Sequence, residues 1–186
     1  MFIRTVDEGL ARMLRAEIPL PIDRVDISFA TPSADWMATL SRTTVNLFLY
    51  EVLPSGRPAH SINRRVDQEG RAQRRRALPV VDLNYLVSVW APDPLDEHEL
   101  LGELVSRIAG QAALAPEHLA AEPDSAVLLF LGGDEQNRVP EIWSAIGGSL
   151  HASFALSIAV AADSFGWLPE APPVSRVLGT VGRRSD

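Results

Sequence analysis

The sequence predicts an α+β fold of two-layer character, a single domain in which a mixed, mainly antiparallel β-sheet is flanked by helices. Three observations predict it. Two segments repeat apolar residues at helical spacing, several others alternate at a period of two, and two of the alternating segments are joined by a long, polar, arginine-rich arm. The domain is expected over residues 1–165, with the arm at 57–78 and a proline- and glycine-rich tail at 166–186.

Ile3, Val6, Leu10, Met13 and Leu14 recur at helical spacing, with Arg4, Asp7, Glu8, Arg12 and Arg15 on the opposite side, so the chain opens with an amphipathic helix over Ile3 to Glu17. Pro19 and Pro21 end it. Val25, Ile27 and Phe29 then alternate with Arg24, Asp26 and Ser28 as a half-buried strand, which Thr31, Pro32 and Ser33 break ahead of Trp36.

Thr43 to Leu53 is rich in β-branched and aromatic residues and runs into Pro54, Ser55 and Gly56, which mark a strand entering a turn. Its expected partner is Pro79 to Trp90. There Val81, Leu83, Tyr85, Val87 and Val89 form one face, and Val80, Asp82, Asn84, Leu86, Ser88 and Trp90 form a less buried one. The intervening residues show no periodicity, and a connection of that length inside a compact domain is usually functional or mobile.

After Trp90, Asp93 can cap a helix, Pro94 fits its first position, and Asp96, Glu97 and Glu99 suit the positive end of its dipole. The helix is expected over Asp96 to Ala109, with Gly110 as its stop. Next come a short helical piece from Pro116 to Ala121, a strand from Ala126 to Leu131, a turn at Gly132, Gly133 and Asp134, and helical turns from Pro140 to Ile146. Leu150, Ala152, Phe154, Leu156, Ile158 and Val160 then alternate with His151, Ser153, Ala155, Ser157 and Ala159, a strand with one bulky and one small face. Burial of its five large side chains would contribute about 10 kcal/mol before entropy is subtracted. The tail is expected to dock through Trp167, Val174, Val177 and Leu178.

Charge is distributed unevenly. The net charge is −7, yet Arg57 to Arg76 holds seven arginines against Asp67 and Glu69, giving +5 and leaving −12 for the rest. All 17 basic residues are arginine and there is no cysteine, which excludes disulfides, thiolate metal sites, cysteine nucleophiles and lysine-based chemistry. The first residues lack the continuous apolar core of a signal peptide, and no apolar window approaches the roughly 20 residues of a membrane-spanning helix. These features predict a cytoplasmic protein without a membrane segment.

A search for reactive groups finds little. His98 to Gly102 reads HELLG, with Gly102 where a zinc motif needs its second histidine. His60, His118 and His151 are scattered, and Asp82 and Asn84 fit polar positions of a strand face. No catalytic residue, metal or cofactor is predicted. Nucleic acid is the alternative ligand for the arm, because arginines neutralise phosphates. Against it, residues 57–78 hold no aromatic for base stacking and the body is acidic. An acidic protein surface is the expected partner, contacted by Arg64, Arg65, Arg71, Arg74, Arg75 and Arg76.

Taken in order, Leu40 to Val52 (LSRTTVNLFLYEV), the strand containing Leu83, Asn84, Tyr85 and Leu86, the DEHELLG run from Asp96 to Gly102, and Glu141 to Gly147 (EIWSAIG) resemble the tail-terminator (cap) proteins of phage-tail-like contractile injection systems. The likeness covers about residues 1 to 165. It implies a non-enzymatic, structural protein that forms a ring of six copies on the distal end of the inner tube and sheath. Its partners are then further copies of itself and the sheath and tube proteins of an assembled cytoplasmic particle.

Overall fold

The central hairpin shows how alternation becomes a core. In the computed structural model, which describes residues 2–18, 24–57, 63–120, 125–132 and 138–170, strands β2 (Thr43–Pro54) and β5 (Val80–Trp90) pair antiparallel from Thr44 opposite Trp90 to Pro54 opposite Val81. Successive residues of a strand point to opposite faces, so Val45 and Leu47 join Leu83, Tyr85, Val87 and Val89 on one side, where all are buried.

Three more strands extend the sheet. β1 (Val25–Ser28) lies parallel to β2, β7 (Ser153–Ala161) pairs antiparallel with β5, and β6 (Leu128–Leu131) pairs antiparallel with β7, giving the order β1-β2-β5-β7-β6. A parallel pair of neighbours needs a crossover. The segment after β1 supplies it with the short helix α2 (Ala34–Met37), whose first turn is capped by the Ser33 hydroxyl accepting from Trp36 N.

Two long helices cover the apolar face. α1 (Phe2–Glu17) contributes Val6, Leu10, Met13 and Leu14, and α3 (Pro94–Ala109) contributes Leu104 and Ile108, to one cluster with the sheet. Each fully buried aliphatic side chain contributes about 1.5–3 kcal/mol. Asp93 caps α3 by accepting from Leu95 N at 2.9 Å, with Pro94 in the first turn, as its sequence predicts.

The second face is more enclosed than its polar residues suggest. Asn46 and Ser88 are fully buried there. Trp90 Nε1 donates to Ser88 Oγ at 3.1 Å, and Trp143, from helix α4 (Val139–Ala145), donates to Ser153 Oγ at 3.0 Å, opposite Ser88 in the register. Asn46 and Ser88 are thus shielded from solvent at this end, while Asp82, Asn84 and Trp90 of the same face stay partly exposed.

Some expectations are corrected. β7 begins at Ser153, and Leu150 is 68% exposed, so four large residues rather than five load the inner face of that strand. The piece from Pro116 is a 3-10 turn, Pro116–His118. Val127 is buried but lies just before β6. Pro19, Pro21, His60, Gly133, Asp134, Val174, Val177 and Leu178 lie outside the described residues.

Candidate functional site: the arginine hairpin

The arm between β2 and β5 contains its own small sheet. β3 (Arg64–Val66) and β4 (Ala72–Arg74) form an antiparallel hairpin, and β8 (Leu168–Pro169) adds a third strand to β4. Within β2, before the arm leaves the main sheet at Pro54, the β2–β5 register shifts between Leu49 and Glu51. A bulge of this kind strengthens strand twist and redirects the rest of the strand.

The turn is built by one aspartate. Asp67 N donates to Arg71 O at 3.0 Å and Gly70 N to Asp67 O at 3.0 Å, while Gly70 adopts φ +79°, which glycine reaches without steric cost. Asp67 Oδ1 accepts from Arg71 N at 2.8 Å and Glu69 N at 3.0 Å, and Oδ2 accepts from Arg71 Nε at 3.0 Å. These donors, Arg71 N first, hold its carboxyl below the ordinary carboxylate value. Arg71 also pairs with Glu69. A groove of about 390 Å³ along this turn is lined by Arg65, Val66, Asp67, Gln68, Glu69 and Arg71.

Register divides the arginines between two faces. Arg65 lies opposite Gln73 and donates to its Oε1 at 3.0 Å. With Arg75, two residues beyond Gln73 in the same row, it packs on Trp167, each guanidinium carbon 4.3 Å from the ring centroid. A cation over an aromatic face is attracted by the ring quadrupole, and more strongly when water is excluded. Arg76 lies 5.9 Å from the Phe165 centroid. Of the six predicted contact residues, Arg75 is only 6% exposed, whereas Arg64, Arg65, Arg71, Arg74 and Arg76 are exposed.

The other face carries Arg64 opposite Arg74, with Leu168 beyond Arg74. Like charges directly opposite are unfavourable. Glu170 relieves one of them through an Arg64 pair at 3.0 Å, and Glu170 N donates to Ala72 O at 2.8 Å. Arg74 has no carboxylate or ring partner among the described residues. At the base of the arm, Arg57 lies 3.7 Å from the Phe130 centroid and 3.3 Å from Asp82.

Sequence reading placed Trp167 as a docking anchor but missed the surface it docks on, and missed Phe165, Leu168 and Glu170. The signal is the alternation from Phe165 to Glu170, which puts Trp167 on one side and Leu168 and Glu170 on the other. The remaining polar candidates are occupied in structural ways. Asp82 pairs with Arg57, and Asn84 donates to Glu51 at 3.1 Å. His118 is buried and His98 exposed, and no group of three metal-ligating side chains occurs among the described residues. His151 stacks on Trp90 with centroids 4.0 Å apart, and its Nε2 lies 2.8 Å from Val89 O and 3.5 Å from Glu97. No helix among the described residues is long and apolar enough to cross a membrane.

The fold has known counterparts. It is similar to the PVC sheath/tube terminator of an extracellular contractile injection system in its extended state, with a TM-score of 0.69 and 22% identity over 98% of this chain and 64% of that one. It is also similar to the tube-terminating cap of the anti-feeding prophage, with a TM-score of 0.62 and 18% identity over 95% of this chain and 60% of that one. The chain therefore spans 64% and 60% of the lengths of these two proteins. No curated protein matches it. Residues 5–176 match the family described as the Pvc16 N-terminal domain. With nearly its whole length matched, the chain belongs to that family.

Proposed function

We propose that this chain is the ring-forming part of a structural cap, which binds the distal end of the inner tube and sheath of a contractile injection system and ends their polymerisation. The observation that carries this reading is the family match together with a fold similar to a sheath/tube terminator over 98% of the chain. The ring has six copies and is assembled with its particle in the cytoplasm. The role is non-enzymatic and needs no cofactor.

In this reading Arg64, Arg65, Arg71, Arg74 and Arg76 meet carboxylates of an adjacent ring, sheath or tube subunit, while Arg75 fixes the arm from within. One exposed ion pair contributes only about 0–1 kcal/mol. Symmetry-related arms acting together make such weak contacts sufficient. A protein partner is favoured over nucleic acid because guanidinium groups already occupy Trp167, leaving that ring poorly placed to stack on bases.

The test is particle assembly. Coexpressed with its tube and sheath proteins, the tagged chain should label one end of each particle in electron micrographs, and its deletion should give tubes of uncontrolled length. Unlabelled ends with an unchanged length distribution would overturn the reading. Filter binding of DNA and RNA across a salt series tests the alternative, for which retention at low salt with a steep salt dependence is required.

A further inference from the structure

Among the described residues, the four most exposed large apolar side chains fall into two pairs. Val66 and Leu168, 67% and 65% exposed, lie on the arm; Leu95 and Leu150, 73% and 68% exposed, lie near the start of α3. A single exposed leucine needs no explanation. Their grouping, and the charges beside each group, do.

On the arm, Val66 and Leu168 share a face with Arg64 and Arg74, because directly paired residues and alternate residues of a strand point the same way. At the other site Leu95 stands in the first turn of α3, next to Asp96 and close to Glu99. Leu150 adjoins His151, whose ring contacts Glu97 of that helix at 3.5 Å. Asp96 and Glu99 are exposed and have no ion-pair partner among the described residues. On the arm two bare aliphatic groups thus stand beside the uncommitted charge of Arg74, Arg64 being paired with Glu170; at the α3 end two bare aliphatic groups stand near the uncommitted anions Asp96 and Glu99.

Topology keeps these sites apart within one molecule. The arm springs from the Pro54–Val80 end of the central hairpin, whereas α3 comes after Trp90 at the other end. Eleven residues of β5 separate the two ends by about 35 Å. Complementary patches at opposite ends of a molecule meet between copies, and a head-to-tail contact of this kind closes into a ring when its rotation allows.

We propose that the outer face of the arm, Arg64, Val66, Arg74 and Leu168, docks on the α3 end of the next copy of this chain. The receiving surface is Leu95 and Leu150 flanked by Asp96 and Glu99. Closure of the contact into a ring rests on the cap reading above; the contact itself does not.

The absence of cysteine makes the test direct. Leu168→Cys and Leu95→Cys are prepared separately as full chains, shown to be folded by circular dichroism, mixed, and treated with a flexible bis-maleimide. Ser106→Cys, exposed on the same helix, replaces Leu95→Cys as control. The expected result is a cross-linked dimer from the first mixture, about tenfold above the control; a yield no greater than the control overturns the contact. In sedimentation equilibrium at low salt, Arg74→Glu and Glu99→Arg should each weaken self-association about tenfold, and the double variant should recover it. Single variants with unchanged association also overturn the contact. If wild-type chains still cap particles while the cross-link fails, this interface is wrong and the cap reading stands; if the cross-link forms without capping, the reverse holds.

Discussion

The phenol of Tyr85 donates to Asp7 Oδ1 across 2.8 Å, tying the first helix to the middle strand of the sheet from 78 residues away. Burial pushes the Asp7 carboxyl above its ordinary value despite this bond, and burial also drives the Tyr85 phenol well up. Tyr85→Phe should therefore cost about 1–3 kcal/mol, because it strips a partly buried acceptor of its partner. Urea denaturation measures it. A loss below about 0.5 kcal/mol would mean that water replaces the phenol.

Asp7 also predicts a pH dependence. Its folded value lies above its unfolded value of about 3.8. Its contribution is thus fully present below that pH and is lost as pH rises through the folded value, where the charged form is penalised. Asp7→Asn keeps an acceptor for Tyr85 without the charge, so the variant should gain on the wild type as pH rises from about 4 to 7. Stability curves that run parallel over this range would sink the assignment.

Asp67 carries the opposite sign. Its carboxyl is held low by Arg71 N and the neighbouring donors, so its contribution to the turn is present above about pH 3.8 and lost as pH falls through the folded value. Protection of the Gly70 and Arg71 amides, taken relative to their intrinsic exchange rate at each pH, should fall on acidification while Leu83 and Val87 stay protected. Asp67→Asn should show low protection at both pH values. Simultaneous loss of protection in arm and core would show that the turn does not open by itself.

Much of this architecture was legible because period and pattern are local. The five strand segments around Val25, Val45, Val81, Val127 and Leu150 and the two long helices are read from spacing, and Asp93 with Pro94 marks the start of α3. The arm was less legible. Arg64, Val66 and Arg74 belong to strands of only three residues, too short for alternation to register, and their third strand is contributed from Leu168. Charge counting treated Arg75 like its neighbours, since burial beneath Trp167 depends on a pairing between distant segments. Leu150 failed in the other direction, because its alternation continues outward past the point where β7 pairing stops at Ser153.

Gly9 tests how tightly α1 is seated. A Cβ at this position would lie 2.7 Å from Leu114 Cδ2, 2.9 Å from Leu119 Cδ2 and 3.3 Å from His118 O. Alanine is favoured over glycine in a helix interior by about 1 kcal/mol. Here Leu114 and Leu119 are themselves buried, and the His118 carbonyl is pinned by Arg12 Nε at 2.6 Å, so the neighbours have little room to yield. Overpacking costs about 1–3 kcal/mol. Gly9→Ala should lower the midpoint of thermal unfolding by a few degrees; an increase would show that the leucine methyls move freely.

Trp167 decides whether the arm is a preformed element or a loose chain. Its ring holds Arg65 and Arg75 on one face of the hairpin, while its neighbours Leu168 and Pro169 complete the small sheet. Each cation–π contact contributes about 0.5–1 kcal/mol, more where water is excluded, so losing both at an element this small should shift it toward an open state. Trypsin cleaves after arginine and reports that opening directly. Trp167→Ala should speed cleavage between Arg64 and Arg76 about tenfold, with the unfolding midpoint of the main sheet unchanged, because its core shares no residue with this ring. Trp167→Phe retains an aromatic face and should fall between alanine and wild type. Cleavage at the wild-type rate in the alanine variant would locate the order of the arm in the Asp67 turn alone. It would also remove Arg75 from the residues that position the outward arginines.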